Sequence, residues 1–228
     1  MPTSAPSVCV VIAAFNEASV IAGVVAGVVQ AGWRVVVVDD GSADGTGALA
    51  RAAGAMVVVH PINLGQGAAL QTGFDWAMAQ DADIVVTFDA DGQHRVADIA
   101  RLVDALQASG ADYALGSRFL GDTIALPAAR RLLLAAATAF TRITTGLAVT
   151  DTHNGLRAMT RRGVSRLRLR QNRMAHASEI LHQIAKSGLA WIETPITIEY
   201  SAYSLAKGQR MGDAFTILVD LFAHRMHR

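Results

Sequence analysis

The sequence predicts an α/β protein with a mainly parallel central sheet flanked by helices. Short Val and Ile runs alternate with Ala-rich segments of helical length, the pattern of successive βαβ units. Each apolar run ends in a polar or Gly-rich stretch: "AAFNE", "DDGSADGT", "HPINLGQG", "DADGQH" and "GSRF". Ligands of such folds bind outside the carboxyl ends of the strands, so this polar edge is the expected site. With 228 residues, 52% hydrophobic and 17% charged, the chain has enough apolar material for one substantial core.

The first strand is expected at Val8 to Ala13 and carries the single cysteine, Cys9, in "VCVVI". One cysteine forms no internal disulfide, which fits a core thiol in a reducing compartment. "ASVIAGVVAGVVQAG" follows as a helix with Val20, Val24, Gly27 and Val28 on one face and Gly32 as its stop signal. Further strands are expected at Arg34 to Val38, Met56 to Val59, Ile84 to Phe88 and Tyr113 to Gly116, with helices between them.

After about Gly121 the pattern changes. A helix is expected from Pro127 to Thr145, then "DTHNGLRAMTRR", a basic amphipathic region to Arg173, a helix near Ala175 to Ser187 and a strand from Ala190 to Glu199. "GDAFTILVDLFAHRMHR" reads as an amphipathic C-terminal helix. Repeats and low-complexity linkers are absent, so 1–228 reads as one domain whose second half is distinct.

Several classes are excluded early. The formal charge of +1, from 20 Lys and Arg against 19 Asp and Glu, gives no global field for nucleic acid. "MPTSAPS" lacks the layout of a signal peptide. "LLLAAATAF" and "AFTILVDLFA" fall short of the roughly 18 residues a spanning helix needs. A dinucleotide-binding turn would place glycines after the first strand, where "AAFNE" has none. "NLGQGAALQTG" has neither that spacing nor the Lys and Ser/Thr of a P-loop.

The carboxylates carry the chemistry. Asp44 suits a helix N-cap. Asp39 and Asp40 end the second strand, where a carboxylate accepts from the imide of a uracil or the N–H groups of a guanine. Asp89 and Asp91 occupy alternate positions of an extended segment, so both side chains point one way, with Gln93 two residues on. Such hard oxygen donors suit Mg²⁺ or Mn²⁺, which share their shell with water and substrate phosphates. A solvated turn is the plainer reading of a bare D-x-D.

"VVIAAFNEASVI", "VVVVDDGSADGT", "NLGQGAALQTGF", "FDADGQH", "GSRF" and "DTHNGLRAMTR" occur in the order and approximate spacing of family 2 glycosyltransferases with the GT-A fold. Over about residues 8 to 200 the chain most resembles the branch with dolichol-phosphate mannosyltransferases and bacterial polyprenyl-phosphate glycosyltransferases. The resemblance implies inverting transfer of a sugar from a UDP- or GDP-linked donor. It divides the chain into a nucleotide-sugar and metal half, 1–120, and an acceptor half, 121–228. Asn16, Glu17, Asp39 and Asp40 then line the nucleoside pocket. Ala13, Phe15, Gly41, Ser42, Asn63, Gly65, Gly67 and Ala90 complete the donor side, and Asp89, Asp91 and Gln93 gather around the metal and diphosphate. Arg118 and Arg130 or Arg131 match positions that meet an acceptor phosphate, while Asp151, Asn154 and Arg157 match a later motif near sugar and acceptor. The final motif departs: in "EYSAYSLAKGQRMGD", aligned on Lys207, Ser201 stands in place of an arginine and Ala206 in place of a serine. Lys207 and Arg210 remain for the diphosphate.

The acceptor decides whether a general base is needed. A phosphate oxygen is anionic near neutral pH, whereas a glycan hydroxyl needs a carboxylate in hydrogen-bond reach. Asp151 and Glu179 are the candidate bases, and each has a plainer alternative, a turn cap and an exposed helix residue. Arg118 stands with them in the catalytic set. The run Arg157, Arg161, Arg162, Arg166, Arg168, Arg170 and Arg173 is either a solvated face or, with the C-terminal helix, a contact for an anionic membrane. No aromatics interleave with it for nucleic acid. His94, His153 and His176 lack metal-ligand spacing, and His94 is at most a substrate contact. The expected location is cytoplasmic, peripheral at the inner face of the membrane. A nucleotidyltransferase lacks its Gly-rich, basic loop here. A non-catalytic nucleotide-sugar-binding module is the alternative of another class.

Overall fold

The computed structural model describes residues 5–121, 123–124, 138–139, 141–152, 154–171 and 175–199. Nine strands are present among these: β1 (Val8–Ala14), β2 (Arg34–Asp39), β3 (Met56–Val59), β4 (Ile84–Thr87), β5 (Tyr113–Ser117), β6 (Thr123–Ile124), β7 (Arg157–Thr160), β8 (Trp191–Pro195) and β9 (Ile198–Glu199). The main helices are α1 (Ile21–Gln30), α2 (Thr46–Ala52), α3 (Gln66–Ala79), α4 (Ala97–Ser109) and α5 (His176–Ser187). The expected C-terminal helix and most of the one expected from Pro127 lie outside the described residues.

Seven strands form one sheet in the order β3-β2-β1-β4-β7-β5-β8, and β6 pairs with β9 in a second, two-stranded sheet. All main-sheet pairs are parallel except those of β7, which runs antiparallel between β4 and β5. The second half of the chain thus returns two strands, β7 and β8, into the sheet begun by the first.

β1, β2, β4 and β5 are continuous apolar runs because both their faces are covered, whereas the edge strand β3 exposes Met56 and Val59. Along β1, Val8, Val10, Ile12 and Ala14 join a cluster with Ile21, Val25 and Val28 of α1 and Ile99, Leu102 and Leu106 of α4. The intervening Cys9 and Val11 join a second cluster with Leu70 and Phe74 of α3 and Ile180, Leu181 and Ile184 of α5. Cys9 is fully buried, and burial, only partly opposed by Arg34, pushes its thiol up to about 11.

Two expectations need correction. The buried face of α1 is Ile21, Val25 and Val28, rotated from the predicted Val20, Val24 and Gly27, because Val20 is the N-cap rather than part of the first turn. Gly32 does end this segment, at φ +86 in the left-handed region. The strand expected from Ala190 to Glu199 breaks at 196–197. Ile196 N still donates to Ser117 O at 3.2 Å, but Thr197 N donates to Asp98 Oδ2 at 2.8 Å. The chain then crosses to the loop after β4, where Ile198 bridges His94 and Glu199 N donates to Gln93 O at 2.9 Å.

Candidate active site

The loops at the carboxyl edge are bonded to one another as well as to their own strands. After β1, Asn16 takes a left-handed conformation (φ 54), which asparagine tolerates better than most residues. That turn aims its amide at Ser42 Oγ (2.9 Å), while its Oδ1 accepts from Ala43 N (3.1 Å). Glu17 N donates to Thr46 Oγ1 (2.8 Å) and Ala18 N to Asp44 Oδ2 (3.0 Å). Asp44 also accepts from Thr46 N, but the N-cap of α2 is Gly45, so Asp44 stands one residue ahead of the expected cap and ties the first two loops together. Phe15 is 43% exposed at their rim.

Asp39 and Asp40 do different work. Asp39 Oδ1 accepts from Ser42 N at 2.9 Å, and its Oδ2 occupies the space a side chain at Gly47 would need. Asp40 is 2% exposed, and both its oxygens are taken: Oδ1 by His60 Nδ1 (2.7 Å) and Leu64 N (2.9 Å), Oδ2 by Gly65 N (2.7 Å). His60 continues through Nε2 to Thr72 Oγ1 on α3 (3.0 Å). Asp40 therefore anchors the third loop, which carries Asn63, Gly65 and Gly67. Gly41 (φ +76) is required where its backbone meets that loop, since a Cβ there would lie 2.6 Å from the Ile62 carbonyl carbon. Gly67 backs onto the carbonyl of Gln171.

Asp89, Ala90, Asp91 and Gln93 follow β4. His94, 8% exposed, bonds Asp89 Oδ2 through Nε2 at 2.9 Å and rests its ring on Phe88, with centroids 5.5 Å apart. Gly155 presses on the same carboxylate: a side chain there would collide with both oxygens. Burial works to raise the Asp89 pKa, but the His94 bond and the charges of His94, Arg157 and His176 outweigh it and hold the carboxyl below its ordinary range. Asp91 goes the other way. Burial first, then the charges of Asp89 and Glu17, raise its pKa against the bond from Gln93 N and the charge of His94. Gln93 donates to Asp91 through both its backbone N (3.1 Å) and its Nε2 (2.7 Å).

Among the described residues no three His, Cys, Asp or Glu side chains converge as a metal cage. Two carboxylates and an amide oxygen instead fit a cation that takes few protein ligands and fills its shell from water and substrate. Of that set, Asp91 is the carboxylate whose charge its surroundings disfavour.

Beyond β5, Arg118 and Asp151 form a buried pair, Nε to Oδ2 at 2.6 Å, and Arg118 N donates to the same oxygen at 3.1 Å. Glu193 on β8 shapes this corner by accepting from Thr150 N (2.7 Å) and Asp151 N (3.3 Å). Asn154 Oδ1 accepts from Leu156 N (2.9 Å) and so sets the entry to β7. Arg157, 3% exposed, stands opposite Thr87 of β4 and Leu115 of β5. Burial lowers its pKa while Asp89 and Asp151 work to raise it.

A family model described as glycosyl transferase family 2 matches residues 9–168. The chain belongs to glycosyl transferase family 2. Among curated proteins, this glycosyltransferase is 30% identical over 238 residues to the UDP-N-acetylglucosamine–dolichyl-phosphate N-acetylglucosaminyltransferase of Methanococcus voltae, covering 95% of each chain. It is 34% identical to the polyprenol monophosphomannose synthase of Mycolicibacterium smegmatis over 76% of this chain and 69% of that one. A solved structure of glucosyl-3-phosphoglycerate synthase from Mycobacterium tuberculosis, in complex with Mn²⁺, UDP and phosphoglyceric acid, shares the fold. Its TM-score is 0.73 at 21% identity, over 95% of this chain and 78% of that one. The GT-A architecture expected from the motifs is the one observed.

The edge gathers the predicted residues unevenly. The loops of Ala13, Phe15, Asn16, Glu17, Asp39 and Ser42 are stitched together, Asp89, Asp91 and Gln93 form one cluster, and Arg118, Asp151, Asn154 and Arg157 another. Glu179 sits on the first turn of α5 and accepts from Arg170 N (3.1 Å) and Gln171 N (2.9 Å), so it anchors a loop. Arg130, Arg131, Lys207 and Arg210 lie outside the described residues. His60, Gly155 and Glu193 were not anticipated as parts of the site, and His94, expected at most as a substrate contact, instead holds Asp89. The only sequence signal for His94 was its place directly after the acidic motif.

Proposed function

We propose that this glycosyltransferase moves a sugar from a UDP- or GDP-linked donor to a polyprenyl or dolichyl phosphate, inverting the anomeric carbon. The carrying observation is the unequal treatment of the two carboxylates after β4. Asp89 is compensated by His94 and Arg157, whereas Asp91 is left to face a cation. A divalent ion, Mg²⁺ or Mn²⁺, held by Asp91 with Asp89 and Gln93, would neutralise charge on the departing diphosphate.

The chain's own residues divide the remaining work. Asp39 offers a carboxylate oxygen to a base N–H, and the exposed ring of Phe15 offers a stacking surface. Asn16, Glu17, Ser42 and Gly41 hold that pocket's walls, with Ala13, Ala90, Asn63, Gly65 and Gly67 lining its approach. Residues 1–120 serve the donor in this reading, and 121–228 the acceptor, with Lys207, Arg210, Arg130 and Arg131 as further cations.

The state of the candidate bases supports a phosphate acceptor. Asp151 already receives two N–H groups of Arg118 on one oxygen, and Glu179 is engaged with backbone amides. A phosphate needs neither: its oxygen forms the new bond to the anomeric carbon while the bond to the diphosphate breaks, and the nucleoside diphosphate leaves with the electron pair. The lipid acceptors in the names of the relatives agree with this assignment. No helix among the described residues is long and apolar enough to cross a membrane, and a peripheral position at the bilayer follows from the acceptor.

The test is a transfer assay with Mn²⁺, a panel of UDP-, GDP- and dTDP-sugars, and either polyprenyl phosphate or a glycan hydroxyl acceptor. Transfer to the lipid phosphate, abolished in Asp91→Ala, is expected. Transfer only to the hydroxyl, or full turnover in Asp91→Ala, overturns the assignment.

A further inference from the structure

The arginine run predicted as one cluster is dispersed by the fold, and the part that stays together is unusual. Antiparallel β7 carries Arg157 to the carboxyl edge and leaves Arg161 and Arg162 at the opposite edge. There they pair with Asp81 (3.4 Å) and Asp112 (3.7 Å). Residues 166–170 then climb back between α3 and α5. Leu167 (0% exposed) and Leu169 (9%) turn into the core, while Arg166, Arg168 and Arg170 are exposed.

This row is held rigidly. Arg168 N donates to Gln183 Oε1 (2.7 Å), and Gln183 Nε2 returns a bond to Arg168 O (2.7 Å). Leu169 N donates to Gln71 Oε1 of α3 (2.8 Å), and Glu179 takes the amides of Arg170 and Gln171. Arg166 closes the turn after the helical turn Arg161–Val164, its N donating to Gly163 O (3.1 Å), and Arg168 Nη1 donates back to Leu167 O (2.9 Å), so the three arginines form an exposed ladder on an irregular, well-anchored segment. Among the described residues no carboxylate lies within ion-pair distance of any of them, nor of the exposed Lys186 on α5. The upper end reaches the donor edge, where the Gln171 carbonyl meets Gly67.

We propose that this ladder is the contact surface for an anionic lipid bilayer. The inference rests on the lipid-phosphate reading above, since that acceptor is met at a bilayer surface. An uncompensated, outward-facing row binds an interface without inserting, and each basic residue near an anionic surface strengthens binding about five-fold. A nucleic acid is disfavoured because no aromatic side chain stands between the arginines to stack a base.

The experiment is sedimentation of the full chain with phosphatidylcholine vesicles, with and without phosphatidylglycerol, at low and near-physiological salt. The phosphatidylglycerol-dependent part of binding is expected to fall about 100-fold in Arg166→Gln/Arg168→Gln/Arg170→Gln and to weaken with salt. Arg161→Gln/Arg162→Gln, whose side chains already have partners, is expected to lose far less. If the triple variant melts below wild type, the single variants Arg166→Gln and Arg170→Gln, about five-fold each, take its place. Wild-type binding by the triple variant, equal binding to both vesicle types, or equal losses in the two variants overturns the proposal, as does displacement of the vesicles by single-stranded RNA through the same arginines. Transfer to a short-chain, water-soluble polyprenyl phosphate is measured in parallel. Its absence alongside ladder-dependent vesicle binding refutes the acceptor and leaves the surface standing. Its presence without ladder dependence refutes only the surface.

Discussion

Asp40 and Asp39 are neighbours in sequence and both suit nucleoside recognition, yet the structure separates their consequences. In Asp40→Asn, the three donors His60 Nδ1, Leu64 N and Gly65 N lose a carboxylate and face one amide oxygen and one NH₂ group. Hydrogen bonds to a charged group contribute about 1.5–3 kcal/mol each, and a buried donor left unsatisfied costs about 1–3 kcal/mol. With one or two bonds lost, the expected destabilisation is about 3–5 kcal/mol, a large share of the roughly 5–15 kcal/mol that holds a domain together. For a chain of this size that is a fall in Tm of roughly 10 °C. Asp39→Asn keeps the acceptor for Ser42 N and replaces only the oxygen beside Gly47, so its Tm changes by a few degrees at most. Its donor affinity falls about 10–100-fold, because an NH₂ group then faces the base N–H. Circular dichroism melts and calorimetric titration with UDP and GDP in Mn²⁺ separate the two. An Asp40→Asn protein that melts like wild type, or an Asp39→Asn protein that binds both nucleotides unchanged, refutes the division of labour.

Three further outcomes follow from the same geometry. Because burial and Asp89 raise the Asp91 pKa, ionised Asp91 opposes folding at neutral pH and that opposition is relieved as pH falls through its raised pKa. Asp91→Asn should therefore melt higher than wild type without metal and gain nothing from Mn²⁺ in a thermal-shift series. Gly155→Ala pushes a methyl group into the Asp89 carboxylate; kcat/KM should drop about 10–100-fold, with about 1–3 kcal/mol lost in urea unfolding, and wild-type kinetics would contradict the contact. Cys9, buried and with its thiol at about 11, should resist iodoacetamide in the native protein and react once urea unfolds it, as followed by mass spectrometry.

What was legible in the sequence depended on whether the signal was local. Continuous apolar runs ending in polar loops placed β1 to β5 with ends correct to about a residue; four of them are covered on both faces, while β3 at the sheet edge leaves Met56 and Val59 exposed. The loops were legible for a related reason: polarity in an apolar chain had to collect at one edge. The α1 face was misjudged because Val20 and Val24 fit a helical period as well as Ile21 and Val25 do. Only the start of the helix decides between them. The arginine run was read as one patch because no local pattern tells that Arg157 to Thr160 crosses the sheet against its neighbours. Asp40 looked like a ligand group because its partners, His60 and the amides of Leu64 and Gly65, lie 20 to 25 residues away.

The antiparallel strand β7 also explains why the carboxylates after β4 differ. It inserts residues of the second half between β4 and β5, which places Arg157 within electrostatic reach of both Asp89 and Asp151 and lets Gly155 close over Asp89. Asp151 has its own partner in Arg118, so the Arg157 charge weighs on Asp89, which His94 already holds. Asp91 receives neutral donors from Gln93 and some help from the His94 charge, but burial, Asp89 and Glu17 outweigh them. The carboxylate whose charge this corner disfavours is therefore Asp91. The fold therefore keeps one carboxylate structurally satisfied as a fixed support and the other in need of a cation, two residues apart on the same loop.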